Sequence, residues 1–231
     1  MSHVVVVGAG LSGLATGLLA LFAGTTLQEL NLILEQHGLA LANLPDSSHM
    51  SVGGALATGT HGTGLRFGGI STQIVGATLV TGTGDVVTLT EDDDELRAVA
   101  LGLGALGVVV DVTIDCVDAF SLRAHDEPLD VDDAIGGFLD RVESFDHHEF
   151  YWFPHTRRAL AKTNTRLPAD TARSGPGKVR RYIDDELISN KVYGVVCEAG
   201  RRVPAVVPAL NRVASRALSE RTYTAPSAEV F

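Results

Sequence analysis

The sequence is short of several residue types, and each shortage excludes something. Cysteine occurs twice in 231 residues, at the well-separated Cys116 and Cys197. No disulfide framework and no CxxC metal or redox motif can be built from that pair. Both lie in apolar stretches, "VTIDCVDAF" and "YGVVCEAG", which predicts two buried thiols and fits a reducing compartment. Basic side chains number 18 against 28 acids, a net charge of −10, which argues against nucleic acid because phosphate binding needs clustered Lys and Arg. The pairs Arg157-Arg158, Arg180-Arg181 and Arg201-Arg202 are scattered through acidic surroundings as solvated surface. There is no internal repeat and no low-complexity tract, and with 45% hydrophobic residues the chain reads as globular, either one large domain or two modest ones.

Charge is also missing from residues 4 to 28, "VVVVGAGLSGLATGLLALFAGTTLQ". The run is long enough to span a bilayer, and Gly13 and Gly17 have GxxxG spacing. A signal peptide would carry Lys or Arg ahead of it, and only His3 is there. Four valines followed by Gly-Ala-Gly read instead as a buried strand, Val4 to Val7, entering a turn and a helix from Leu11 to Phe22. The expectation is a cytoplasmic protein, with a membrane segment as second choice. Gly8, Gly10 and Gly13 then match GxGxxG between strand and helix, where small residues let amide groups approach a pyrophosphate. An acid about 20 positions on should hold the ribose. Glu35 is the candidate, but it falls in a stretch that itself reads as helical, so the βαβ unit is incomplete.

That stretch, Thr25 to Gln36, has Thr25 or Thr26 to cap it, Glu29 in its first turns, Leu27, Leu30 and Leu34 at helical spacing, and Gly38 to end it. Further on, "TGTGD" between two runs rich in Val, Leu and Thr reads as a hairpin, "EDDDELRAVALGLGAL" as a short helix, and "GVVVDVTIDCV" as a strand. From about Ala119 the composition shifts. "AHDEPLDVDDAIGGFLDRVESF" reads as a linker and an amphipathic helix, "HHEFYWFP" as an aromatic strand, and "RLPADTARSGPGKVRR" as a polar loop. "KVYGVVCEAG" reads as a strand and "VPAVVPALNRVASRAL" as a helix, while "TAPSAEVF" has no evident capping element.

What the sequence has in excess is glycine between residues 51 and 69, "SVGGALATGTHGTGLRFGG". Seven of these 19 residues are glycine, four are Thr or Ser, and none is acidic. Successive unhindered amides in such a loop can form an anion-holding nest, with hydroxyls of Thr58, Thr60 and Thr63 and the His61 ring as further donors. The alternative is a glycine-rich connector between sheets.

The segment "AGTTLQELNLILEQHGLALANLPDSSHMSVGGALATGTHGTG" resembles the FAD-linked sugar-1,4-lactone oxidoreductases, the gulonolactone and arabinonolactone oxidases of the vanillyl-alcohol-oxidase flavin superfamily. "LGALGVVVDVTI" is similar to the strand that closes their flavin domain, and "HHEFYWFPHTRRALAKTNTR" to the opening of their substrate domain. The resemblance runs from about Ala23 to the last residue. It implies an α+β fold, the second lobe of a flavin domain followed by the start of an antiparallel-sheet substrate domain. It also implies FAD as cofactor, lined by Ser51, Gly54, Thr58, Gly59, Thr60, His61, Gly62, Thr63 and Gly64, with Gly107 and Val109 contributing from the later strand. The expected division is 1–22 (a Rossmann-like stretch of separate origin), 23–118 (partial FAD domain) and 119–231 (partial substrate domain). The implied reaction is hydride transfer from a sugar lactone to flavin.

The Gly-x-Gly-His-Ser loop and the His-Trp-Gly-Lys motif usual in that family are absent, and no catalytic residue can be assigned. The alternatives are a Rossmann-type FAD or NAD(P) binder using Gly8, Gly10 and Gly13, and an inactive flavoprotein fragment. Other chemistries have less support. "GLSGL" misses the GxSxG elbow, His147, His148 and Glu149 are adjacent on a strand and cannot all face one metal, and no metal site is expected. Asp111 and Glu149 are carboxylates near the relevant strands, with strand-end or surface roles expected for both.

Overall fold

The computed structural model describes residues 5–9, 16–175 and 193–231. The chain falls into two compact units, residues 1–120 with 226–229 and 231, and residues 121–225 with 230.

In the first unit, β1 (Val5–Ala9), β2 (Thr16–Phe22), β3 (Leu39–Ala40), β4 (Ile74–Val80), β5 (Val86–Thr90) and β6 (Val108–Asp118) make one sheet in the order β1-β2-β6-β4-β5, with β3 also on β6. The pairings β1–β2, β2–β6, β3–β6, β4–β5 and β4–β6 are all antiparallel. Three helices, α1 (Leu27–Gln36), α2 (Val52–Ala57) and α3 (Glu95–Ala100), supply the other half of the core. Alternation on β6 decides the buried face. Val112, Ile114 and Cys116 point inward, while Asp111, Thr113 and Asp115 point away. The inward row meets Leu27, Leu30 and Leu34 of α1 and Val52, Ala55 and Leu56 of α2. Each such leucine contributes about 1.5–3 kcal/mol by leaving water.

The helix expected at residues 25–36 forms as the sequence indicates. Thr26 caps α1, its Oγ1 accepting from the Glu29 amide at 3.2 Å while the Glu29 carboxylate accepts from the Thr26 amide at 2.9 Å. Those bonds, the backbone one foremost, hold the Glu29 carboxyl below its ordinary range. Gly38, at φ +68°, follows the helix end. The hairpin at "TGTGD" joins β4 to β5.

The helix expected over Leu11 to Phe22 does not extend through its second half. Residues 16–22 are strand β2, paired along their whole length with β6, with Leu19 and Leu21 inward and Phe22 outward. That period of two and a waiting strand edge override the local helix propensity. Among the described residues, no helix is long and apolar enough to cross a membrane.

The second unit holds a four-stranded sheet, β7 (Phe120–Asp130), β8 (His147–Trp152), β9 (Arg158–Pro168) and β10 (Arg221–Pro226), in the order β10-β7-β9-β8. The expected linker before residue 131 is therefore strand β7. Its acids looked like loop residues, but Asp126 is buried and bonded to Arg221 at 2.5 Å, and Glu127 meets Arg141 at 2.6 Å. Two short helices follow, α4 (Val131–Gly136) and α5 (Phe138–Ser144). Phe138 of α5 packs against His148 and Phe150 of β8 at ring separations of 5.4 and 5.9 Å. Burial holds the His148 imidazole below its ordinary pKa, although its Nδ1 bond to the Lys162 carbonyl pulls the other way.

"KVYGVVCEAG" is a third correction. Residues 193–202 form helix α6 (Tyr193–Arg202), not a strand, and Glu198 pairs with Arg201 and Arg202 at helical spacing. Cys197 is consequently exposed, whereas Cys116 is buried as expected. Helix α7 (Val207–Arg216) follows a 3-10 turn at Pro204–Val206, and the chain ends in β10 and the short α8 (Ser227–Val230).

Candidate functional site

A cleft of about 410 Å³ opens in the first unit, within the range of small-molecule sites. Four pieces of chain wall it: Ala23 and Gly24 beyond β2; α2 with its cap Ser51; Ile74, Ala77 and Leu79 of β4; and the loop from α3 into β6, with Gly102, Gly104, Leu106 and Gly107. Val109 and Val112 of β6 complete it, and no charged side chain takes part.

Backbone bonds hold these pieces together. The Gly53 amide donates to Ala23 O at 2.7 Å and the Val52 amide to Thr25 O at 2.8 Å, which fixes the start of α2 against the first wall. Ala23 N donates to Val110 O at 2.9 Å, and Leu103 N donates to Ala57 O at 3.2 Å, tying the second loop to the end of α2. Ser51 caps α2 through its Oγ, which accepts from the Gly54 amide at 3.2 Å.

The residues expected to line a cofactor divide into two groups. Ser51, Gly54, Gly107 and Val109 line the cleft. Thr58, Gly59, Thr60, His61, Gly62, Thr63 and Gly64 do not appear among its walls. The amides of Thr58, Gly59 and Thr60 donate to Gly54 O, Leu56 O and Ala55 O, continuing α2 and not forming an open nest. The Thr58 hydroxyl donates to Gly54 O at 2.9 Å, and that of Thr60 contacts Met50 Sδ at 3.5 Å. The exposed His61 ring donates from Nδ1 to Gly62 O at 2.9 Å.

Sequence reasoning missed Ala23, Gly24, Gly53, Ala57, Gly102, Gly104 and Leu106. The glycines of "LGLGALG" were a signal for the last three. Their geometry separates two uses of glycine. A Cβ on Gly107, at φ +147°, would stand 2.3 Å from Val80 O, and one on Gly102 would stand 2.7 Å from Ala98 O, so the fold itself demands them. A Cβ on Gly24 or Gly104 would meet nothing within 4 Å, although both line the cleft. Both positions open onto the cleft, and Gly104, at φ +75°, also needs glycine for its own backbone.

Of the alternative dinucleotide motif, Gly8 lies in β1, and Gly10 and Gly13 lie outside the described residues. The next described element, β2, runs antiparallel to β1, whereas a Rossmann unit needs a helix leading to a parallel strand. Glu35 is exposed on α1 and not at a strand end. Asp111 lies on the outward row of β6, and Glu149 is paired with Lys162 at 2.8 Å. Among the described residues no group of three or more His, Cys, Asp or Glu is placed to hold a metal.

The family model for D-arabinono-1,4-lactone oxidase matches residues 112–231, more than half of the chain. The chain belongs to that family. A model of the FAD binding domain matches residues 3–90, so the likeness begins near the N-terminus and not at about Ala23, and β1 and β2 fall within it. The chain is 38% identical over 216 residues to the L-gulono-1,4-lactone dehydrogenase of Mycobacterium tuberculosis, covering 94% of this chain and 50% of the relative. It is 33% identical to the L-gulonolactone oxidase of Scyliorhinus torazame, over 83% of this chain and 43% of that one. The chain thus spans about half the length of these relatives. Among solved structures, the cholesterol oxidase of Brevibacterium sterolicum superposes with a TM-score of 0.71 at 22% identity, covering 98% of this chain and 47% of that one. That likeness shows the fold alone, an α+β arrangement in which the first unit's sheet and helices are followed in sequence by a second antiparallel sheet.

Proposed function

We propose that this chain carries the second lobe of the FAD site and the start of the substrate domain of a sugar-1,4-lactone oxidoreductase. On this reading the residues through 118, β1 and β2 included, belong to the cofactor domain and 119–231 to the substrate domain. The carrying observation is the uncharged, glycine-walled cleft between α2 and the loop into β6. It lies in a chain whose relatives share the sugar-lactone substrate in their names.

The fit to FAD rests on the openings at Gly24 and Gly104, where a flat group can approach the backbone without meeting a side chain. Leu56, Ile74, Leu106 and Val109 keep water from such a group, and with no charge in the walls the cleft suits a ring system better than the diphosphate. When bound, FAD supplies the hydride acceptor for oxidation of the lactone. This chain's part is to bind and orient it. Asp111 and Glu149 take no role at the cleft, Asp111 by its outward position and Glu149 by its bond to Lys162.

The test is a visible absorption spectrum of the purified chain after addition of FAD and gel filtration. Retained flavin bands are expected, together with dye reduction on adding L-gulono- or D-arabinono-1,4-lactone. A colourless protein would sink the cofactor reading, and retained flavin without lactone-dependent dye reduction would sink the assignment of activity to this chain.

A further inference from the structure

The glycine-rich loop after α2 is held by two amide side chains to which no role has yet been given. Asn43 is buried, 2% exposed, in the segment "GLALANLPD". Its Nδ2 donates to Gly68 O at 3.3 Å, at the far end of the loop. Gln73 closes the 3-10 turn Ile70–Gln73 and reaches back to the same segment. Its Oε1 accepts from the Ala42 amide at 3.2 Å, and its Nε2 donates to Asn43 O at 3.4 Å. Between these anchors the loop backbone is pressed hard against them. A Cβ on Gly62 would stand 2.0 Å from Leu44 O and 2.5 Å from Asn43 Oδ1.

The consequences reach the cleft by two short routes. Gln73 is followed directly by Ile74, a cleft wall. The loop's Thr60 accepts at its carbonyl from Ile70 N at 3.0 Å and donates from its amide to Ala55 O at 2.9 Å, within α2. The loop therefore links the anchored segment to the helix whose Gly53, Gly54, Leu56 and Ala57 face the cleft.

Stability alone does not account for Asn43. Its Oδ1 is buried with no hydrogen-bond partner, an arrangement that costs free energy relative to an apolar side chain of the same size. What the residue provides is the reach of Nδ2 to Gly68 O. We infer that Asn43 and Gln73 are positioning residues: together they clamp the 58–69 loop against residues 41–44 and thereby set α2 and Ile74 as cleft walls. This rests on the cofactor reading for its purpose, but its geometry can be tested without cofactor.

The experiment is hydrogen exchange on the whole chain with Asn43→Leu and Gln73→Met, alongside FAD titration of the same proteins. The clamp predicts at least about tenfold faster exchange over residues 52–64 and unchanged exchange in β6, with a thermal midpoint within about 3 °C of the parent because Asn43→Leu also removes the orphaned oxygen. It further predicts about tenfold weaker FAD binding in both variants. Gln73→Glu, which keeps the acceptor for Ala42 N, is expected to restore part of the loss. Unchanged exchange over 52–64, or uniformly faster exchange through β6, would overturn the clamp. Faster exchange with unaltered FAD affinity would reduce the pair to a structural role and overturn the positioning claim. If the parent chain itself binds no FAD, the cofactor reading fails, and the exchange pattern alone then decides whether the pair holds the wall.

Discussion

Two glycine-rich loops of the first unit look alike as sequence and differ in what their glycines serve. In residues 58–69, Gly62 and Gly68 are crowded by the protein's own atoms. Gly62 faces Leu44 O, and Gly68 faces the Thr72 hydroxyl, which donates to Gly69 O at 2.7 Å. In residues 101–107 the use is mixed. Gly102 and Gly107 are crowded, but Gly104 is open toward the cleft, as is Gly24 on the opposite wall. Glycine content says that something must come close to the backbone. Whether that something is the rest of the chain or a ligand is a property of the third dimension.

Gly62→Ala tests the crowded loop most severely. The added methyl has backbone at 2.0 Å with nowhere to move, so unfolding free energy should fall by about 3 kcal/mol in urea or thermal melts. A loss under 1 kcal/mol would mean that the loop is slack and the contrast false. Gly24→Val probes the opposite case. Its stability should stay within about 0.5 kcal/mol of the parent, while FAD affinity should fall about 100-fold, or about 2.7 kcal/mol. Full FAD retention in that variant would move the cofactor away from this cleft.

The sheet behind both loops offers a pH-dependent baseline. Burial pushes the Cys116 thiol up to about 12, with the neighbouring Asp115 carboxylate adding to the shift. A thiol of ordinary pKa in the unfolded chain ionises first, so the stabilising contribution is complete below about pH 9 and is lost as pH rises toward 12. Between pH 8 and 10 the chain should lose about 1.4 kcal/mol that a Cys116→Val variant does not lose. Equal slopes in the two proteins would show that the thiolate is accommodated in the folded sheet.

How much of this was legible follows from which forces act locally. The first helix was readable because its cap Thr26, its apolar spacing and Gly38 all act within one element. The hairpin at "TGTGD" was readable for the same reason. β2, β7 and α6 were misread. β2 is decided by the edge of β6 and β7 by its place between β10 and β9, partners distant in sequence; in α6 the alternation of Val and Tyr outweighed the Glu198 pairs at helical spacing. The cleft was half readable. Ser51, Gly54, Gly107 and Val109 could be named from a resemblance, whereas Gly24, although inside the resembling segment, reads there as part of a helix entry and joins the wall through the bond of the Gly53 amide to Ala23 O.

The finest contrast between the two loops is one of sign. In the first loop every added side chain should harm, because the crowding comes from neighbouring atoms. In the second, Leu103 is held at φ +50° and is 76% exposed, so its strain lies in its own backbone and its side chain makes little of the core. The left-handed conformation costs an L-residue about 1 kcal/mol, and asparagine tolerates it better than leucine. Leu103→Asn should therefore stabilise the chain by about 0.5 kcal/mol, since little burial is lost and the amide bond to Ala57 O is kept. Urea melts of the parent and variant resolve that difference in paired runs. A destabilised variant would mean that the leucine is covered in solution, and that the exposed rim of Leu101, Leu103 and Leu106 is a surface with an occupant, not a strained edge of the cleft.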